Sequence, residues 1–242
     1  MGNTRRGRST ALRGTGGFTL AETLIATAIS GVILVGLYLV YDVNQITFIK
    51  GEQLADLQQN ARIGMDRIVR ELRLAGFDPQ TAKIIPAPCA TAIQVATATN
   101  IVFIADVDPS DPTPTTERVE YKHDPACAPN CVDDPPSIRR EEWPSLPAGP
   151  SCTAPNWSTS GGAMSFAERV TALRFTYYDA SNICLGGAAA SDCPAPPAAV
   201  SAGNLANIRR VSITITTQDA QTGSKAQPFT LRAEVRPRNL GL

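Results

Sequence analysis

The stretch that decides the fold is Gly17 to Tyr41, GFTLAETLIATAISGVILVGLYLVY, in which Glu22 is the only ionisable side chain. From Thr23 to Tyr41 no residue is charged, a run matching the ~20 apolar residues an α-helix needs to cross the hydrocarbon core of a bilayer. The seventeen residues before Phe18 contain Arg5, Arg6, Arg8 and Arg13 and no acid. A basic flank of this kind keeps the N-terminus in the cytoplasm and places the residues after Tyr41 on the far side of the membrane. The formal charge of zero, from 22 basic and 22 acidic groups, is therefore a basic leader followed by a mature segment with four more acids than bases. That balance excludes a strongly basic nucleic-acid binder as a description of the whole chain, and 43% hydrophobic residues exclude a disordered acidic tail.

Two plain readings of the N-terminus compete. A secretory signal peptide would be cut at the small-residue triplet Ala26-Thr27-Ala28, but that triplet lies inside the apolar run instead of after it. A simple signal anchor accounts for the arginines and the span, yet leaves Glu22 unpaired in lipid at a cost of at least ~2.5 kcal/mol. Cutting the chain between Gly17 and Phe18 supplies a partner, because it creates an α-amino group on Phe18, and opposite charges in apolar surroundings attract strongly. The two groups are neighbours within one helix, or can pair between staggered chains. Gly17-Phe18-Thr19-Leu20-Ala21-Glu22 resembles the signal of type IV pilins and type II secretion pseudopilins. The resemblance implies cleavage after Gly17 by a prepilin peptidase, N-methylation of Phe18, and assembly with other minor and major pilins at an inner-membrane platform through Glu22. It also implies residence in the lipid bilayer of a Gram-negative type inner membrane before assembly, and a pilus at the cell surface after it.

Beyond the span, Leu54, Leu57, Ala61, Met65, Ile68 and Leu72 recur at steps of three and four, one apolar stripe at helical period. Gly76 is placed as a C-terminal cap, and Pro79 cannot continue the helix. An unbroken helix from Phe18 to Ala75 would be roughly 87 Å long at 1.5 Å per residue; two helices joined near Asn44 to Gly51 is the alternative. Asp66, Arg67, Arg70, Glu71 and Arg73 alternate in sign and are expected on a solvated face.

After Gly76 the period changes to two. Val211, Ile213 and Ile215 alternate with Ser212, Thr214 and Thr216, while Phe229, Leu231, Ala233 and Val235 alternate with polar residues. Both segments predict half-buried antiparallel strands. Leu173, Phe175 and Tyr177 predict a third; Asn100 to Ala105 and Arg118 to Tyr121 are shorter candidates. Pro- and Gly-rich stretches between them predict long loops. The expected fold is α+β and pilin-like: a leader over 1–17, a transmembrane half-helix over 18–41, an amphipathic half over 42–76, and a β-rich head over 77–242. RVTALRFTYYD (Arg169 to Asp179), IRRVSITI (Ile208 to Ile215) and VRPRNL (Val235 to Leu240), with the helical stretch Ala61 to Pro79, resemble W-type minor pilins and the related J-type pseudopilins. This implies a minor, tip or priming subunit of a pilus; a pseudopilin, or a tip adhesin or DNA-uptake pilin binding through its loops, is the alternative.

Cys89, Cys127, Cys131, Cys152, Cys184 and Cys193 are an even set suited to disulfides in an oxidising compartment. Six cysteines allow 15 connectivities. Short loops favour Cys127 with Cys131 and Cys184 with Cys193, which leaves Cys89 for Cys152. A zinc site using His123, four residues before Cys127, lacks a second ligand pair. Asp106, Asp108 and Asp111 suit a calcium loop only loosely, because the glycine and terminal glutamate of the EF-hand pattern are missing. No metal, cofactor or enzymatic activity is expected. Neither a Gly-x-Ser-x-Gly elbow nor a phosphate-binding loop occurs, and His123 lies in a predicted loop without an identifiable nucleophile.

Overall fold

The computed structural model describes residues 17–77, 91–107, 116–125, 136–144, 162–218 and 228–240. Helix α1 spans Leu20–Arg73 and is continuous through Asn44 to Gly51, so the single-helix expectation holds there. The strands after it are β1 (Ile93–Ala96), β2 (Asn100–Ala105), β3 (Glu117–Asp124), β4 (Ser137–Pro144), β5 (Met164–Glu168), β6 (Val170–Tyr178), β7 (Cys184–Gly187), β8 (Arg210–Thr217) and β9 (Phe229–Val235), with a 3-10 helix at Ala202–Asn207 between β7 and β8. They form two antiparallel sheets, one ordered β1-β2-β3-β4-β5 and the other β7-β6-β8-β9.

The chain divides into two compact units, Met1–Gly51 and Glu52–Leu242. In the first, the described residues are helical from Leu20 onward and their large apolar side chains, including Ile33, Leu37 and Tyr41, are exposed. In the second, Leu57, Ala61, Met65, Ile68 and Leu72 are buried, as the stripe predicts, while Leu54 is 39% exposed. Gly64 is buried between these positions; a Cβ there would come 3.1 Å from the Ala167 Cβ of β5, so the glycine permits close approach of helix and strand. After Arg73 the chain tightens into turns, with the Leu74 and Ala75 N–H groups donating to the Glu71 and Leu72 carbonyls. Gly76 has φ +84°, the left-handed conformation expected of a glycine past a helix end. Its N–H donates to the Ile104 carbonyl of β2 at 2.8 Å instead of back to the helix.

The core joins the helix stripe to the inner faces of both sheets: Ile101, Phe103, Val119, Tyr121 and Ile138 from the first, and Leu173, Phe175, Tyr177, Val211, Ile213, Ile215 and Val235 from the second. Each fully buried aliphatic or Phe side chain contributes about 1.5–3 kcal/mol, so the helix end and two sheets stabilise one another through a shared apolar layer. β6, β8 and β9 follow the predicted alternation: Phe175, Ile213 and Ala233 lie in one cross-strand row on the core side.

The structure departs from the sequence expectations in three ways. The described strands form two sheets where one was expected, and β1, β4, β5 and β7 lie in segments with no predicted strand. β4 shows why: its Ile138, Arg140 and Glu142 alternate along one face, and two of the three are charged, so hydrophobic period two is absent. β3 is longer than Arg118 to Tyr121 and includes His123, which is therefore on a strand and not in a loop. Finally, Glu71 is buried, contrary to its assignment to a solvated face.

Candidate functional site

Gly17 and Phe18 precede the helix in non-helical backbone, and Phe18 is 87% exposed. Thr19 stands just before Leu20 and acts as the N-cap. Its backbone N–H and its hydroxyl donate to Glu22 Oε2 at 2.9 and 3.0 Å, while the Glu22 N–H donates to Thr19 Oγ1 at 3.2 Å. This reciprocal pair is a capping box. The carboxylate also lies in the first turn of α1, where the helix dipole favours negative charge. Glu22 thus has a partner even in the uncut chain, which the charge argument alone did not anticipate. The pattern Thr19-x-x-Glu22 announces it, since a threonine three residues before a glutamate at a helix start is the capping-box signature. The cap also survives cleavage, because a cut between Gly17 and Phe18 leaves the Phe18–Thr19 peptide bond, and hence the Thr19 amide N–H, intact.

Following Glu22, α1 contains a segment long and apolar enough to cross a membrane, with none of that window buried by the rest of the protein. Thr23 and Thr27 turn their hydroxyls back onto the carbonyls of Leu20 and Leu24 at 2.9 Å, which hides their polarity within the helix.

In the second unit, a network of charges centred on the buried Glu71 and Arg140 fastens α1 to the first sheet. Glu71 Oε2 accepts from the Tyr121 hydroxyl at 2.6 Å and from Arg140 Nε at 2.9 Å, and Glu71 Oε1 accepts from Arg67 Nε at 3.0 Å. Arg140 is only 5% exposed and also pairs with Glu142. Burial opposes the charge on Arg140, but the Glu71 carboxylate, with the hydrogen bonds it accepts, holds the guanidinium's proton more firmly than usual. Burial, reinforced by the negative charge of Glu71, raises the Tyr121 hydroxyl above its ordinary pKa.

A second polar cluster surrounds Arg210. Its guanidinium lies 3.7 Å from the centre of the Tyr178 ring, 2.8 Å from Glu234 Oε1 and 3.4 Å from Asp192 Oδ2. Tyr178 donates to Asp192 at 2.7 Å. Cys184 and Cys193 are joined by a disulfide, as one of the expected local pairs. Cys89, Cys127, Cys131 and Cys152 lie outside the described residues.

The remaining candidates divide similarly. His123 Nε2 bonds the Val170 carbonyl at 2.8 Å, so one ring nitrogen is occupied across the two sheets. Asp106 is buried and its N–H donates to the Phe77 carbonyl; Asp108 and Asp111 lie outside the described residues. Among the described residues no group of three His, Cys, Asp or Glu is arranged to hold a metal. Arg209, Arg210, Arg232, Arg236 and Arg238 are the arginines that could form a local basic patch: Arg209 donates to the Ala206 and Ile208 carbonyls, Arg210 is paired as above, Arg232 donates to Ser212 Oγ at 3.1 Å, and Arg236 and Arg238 are exposed.

The family model described as the prokaryotic N-terminal methylation motif matches residues 12–38. No curated protein matches the chain. The matched span contains Gly17, Phe18, the capping box and most of the apolar run. The N-terminus is of the prepilin type, and the chain is like a type IV pilin or pseudopilin: this motif implies processing by prepilin peptidase and assembly with other pilins, and it suits a membrane-anchored subunit.

Proposed function

We propose that this chain is a minor subunit of a type IV pilus, placed at or near the tip and acting in the priming of assembly. Prepilin peptidase cuts between Gly17 and Phe18, Phe18 is N-methylated, and the apolar half of α1 holds the product in the inner membrane of a Gram-negative type envelope with its β-rich head in the periplasm. Assembly then draws the chain into the pilus, with Glu22 answering the Phe18 amine of a neighbouring subunit. The role is structural and involves no catalysis. The observation that carries this reading is the conjunction of the matched motif, Glu22 at the first turn of α1, and an uncovered apolar surface running from that turn toward Gly51. The resemblance of Arg169 to Asp179 and Val235 to Leu240 to W-type minor pilins supports the minor assignment. Of the arginines Arg209, Arg210, Arg232, Arg236 and Arg238 that a DNA-uptake surface would use, Arg210 is committed to Glu234 and Asp192, and the acidic balance of the mature segment weighs against phosphate binding.

Replacing Gly17 with Trp tests processing. The variant is expected to accumulate as the full-length, membrane-bound precursor, whereas the parent gives a mature N-terminus of methylated Phe18 by mass spectrometry. Normal maturation of the Trp variant would end the peptidase assignment. Deleting the chain from its native organism is expected to reduce surface pili and leave exported enzymes at their usual level; the opposite outcome would assign it to a type II secretion pseudopilus.

A further inference from the structure

Among the described residues, β1, β5, β7 and β9 are the strands at the ends of the two sheets. A sheet edge presents unpaired N–H and carbonyl groups to other chains, and proteins blunt such edges with short strands, bulges, proline or inward-pointing charge. β1, β5 and β7 are four, five and four residues long, and the ladder that joins each to its neighbour has a register shift, at Ile93/Val95, Ile138/Arg139 and Tyr177/Tyr178. β9 has none of these devices. It runs for seven residues in unbroken register with β8, contains no proline, and turns the apolar Phe229, Leu231, Ala233 and Val235 toward the core. The direction of its main-chain groups follows from β6. The Phe175 N–H donates to the Ala98 carbonyl and the Phe175 carbonyl accepts from the Ala188 N–H, so both groups point away from β8. Its ladder partner Ile213 therefore turns both of its own toward β9, where it exchanges bonds with Ala233. Alternation then points the N–H and carbonyl of Thr230, Arg232 and Glu234 outward. All three residues are exposed, and no main-chain group meets them on that side among the described residues. Arg232 Nε bonds Ser212 Oγ and Glu234 Oε1 holds Arg210, which leaves the terminal nitrogens of Arg232 and Glu234 Oε2 without a partner among the described residues.

We propose that β9 is a docking edge for an extended segment of a partner protein, which adds antiparallel beside it with an acidic residue opposite Arg232, a basic residue opposite Glu234, and apolar residues opposite Leu231 and Ala233. Strand addition uses main-chain bonds for attraction and alternate side chains for selection. The residues opposite Thr230, Arg232 and Glu234 each exchange two main-chain bonds with β9. On the outer face, opposite charges placed directly across the pair attract, whereas like charges repel, so the order of acid and base in the partner is fixed by Arg232 and Glu234. On the inner face, the partner's apolar residues extend the layer that Leu231 and Ala233, each half-buried, leave incomplete at this edge. Pairing with β8 already holds β9 extended, which limits the ordering needed on binding. This inference does not depend on the proposed place of the chain in a filament.

The test uses the full chain in detergent micelles and a fluorescent capped pentapeptide, Lys-Val-Glu-Val-Thr, whose lysine, glutamate and threonine fall opposite Glu234, Arg232 and Thr230 in the antiparallel direction. Saturable binding is expected by anisotropy, with slowed exchange of the Arg232 and Glu234 amide hydrogens. Methylating the glutamate nitrogen removes the donor to the Arg232 carbonyl and is expected to weaken binding at least tenfold. Methylating the nitrogen of the valine before it, which points away from β9, should weaken binding less than threefold. Arg232→Glu should weaken the parent peptide at least fivefold and favour Lys-Val-Lys-Val-Thr. Absence of saturable binding, equal loss from the two methylations, or protection of the same amides by self-association of the chain in place of the peptide would overturn the proposal.

Discussion

Glu22 has two roles that substitution can separate. Its carboxylate closes a capping box with Thr19, and it is the group proposed to meet the Phe18 amine of another subunit. Glu22→Gln keeps a carbonyl oxygen for the Thr19 N–H but removes the charge; it is expected to be processed normally and to enter pili at a small fraction of the parental level. Thr19→Ala removes the capping hydroxyl, costing about 1 kcal/mol of helix start, and should leave incorporation within about twofold. Immunoblots of sheared pili compare the two, and equal loss in both would assign Glu22 to capping alone. Both readings are written within six residues, because a cleavage motif and a helix cap are recognised by local spacing. The unpaired charge of Glu22 is legible in its apolar surroundings, and the cap is equally legible in Thr19-x-x-Glu22.

At the scale of elements, the junction of α1 with β3 and β4 depends on one carboxylate. Glu71→Ala would leave the buried Arg140 without its main counter-charge, and loss of one partner of a buried pair costs about 3–5 kcal/mol. Tyr121→Phe removes one hydrogen bond to a charged acceptor, worth about 1.5–3 kcal/mol. Arg67 is 41% exposed, so Arg67→Ala should cost well under 1 kcal/mol. Urea unfolding is expected to rank the three in that order, and a loss for Glu71→Ala no larger than for Arg67→Ala would show that the buried network is not coupled. The helix itself was readable from its apolar stripe. Glu71 was misread because its local surroundings, Arg67 one turn before it and Arg70 and Arg73 nearby, have the pattern of a solvated face. Its burial comes from Tyr121 and Arg140, 50 and 69 residues away, and helical periodicity contains no record of the groups that pack against a face.

For the whole molecule, the protected tyrosines make stability depend on alkaline pH. Burial raises the hydroxyls of Tyr121 and Tyr177 above the ordinary value near 10, and burial with the hydrogen bond to Asp192 pushes Tyr178 up to about 12. Below pH 10 these groups are protonated in both folded and unfolded chains and do not alter stability. Above it the unfolded tyrosines lose protons that the folded ones retain, so stability falls as pH rises, by about 1.4 kcal/mol per pH unit for each fully protected group. Urea midpoints are expected to be flat from pH 8 to 9.5 and to drop from pH 10 to 11, with a smaller drop in Tyr177→Phe; a flat profile to pH 11 would contradict this. Such protection arises only because distant strands close over these rings. The chain by itself determined the prepilin motif, the apolar run, the helical stripe, and β2, β6, β8 and β9, all of which are expressed in spacings of two to four residues. Only the tertiary structure decided the division into two sheets, the burial of Glu71 and the bond from His123 to Val170. Each of these depends on which remote residues meet, and that is settled by packing the whole core, not by the period of any one segment.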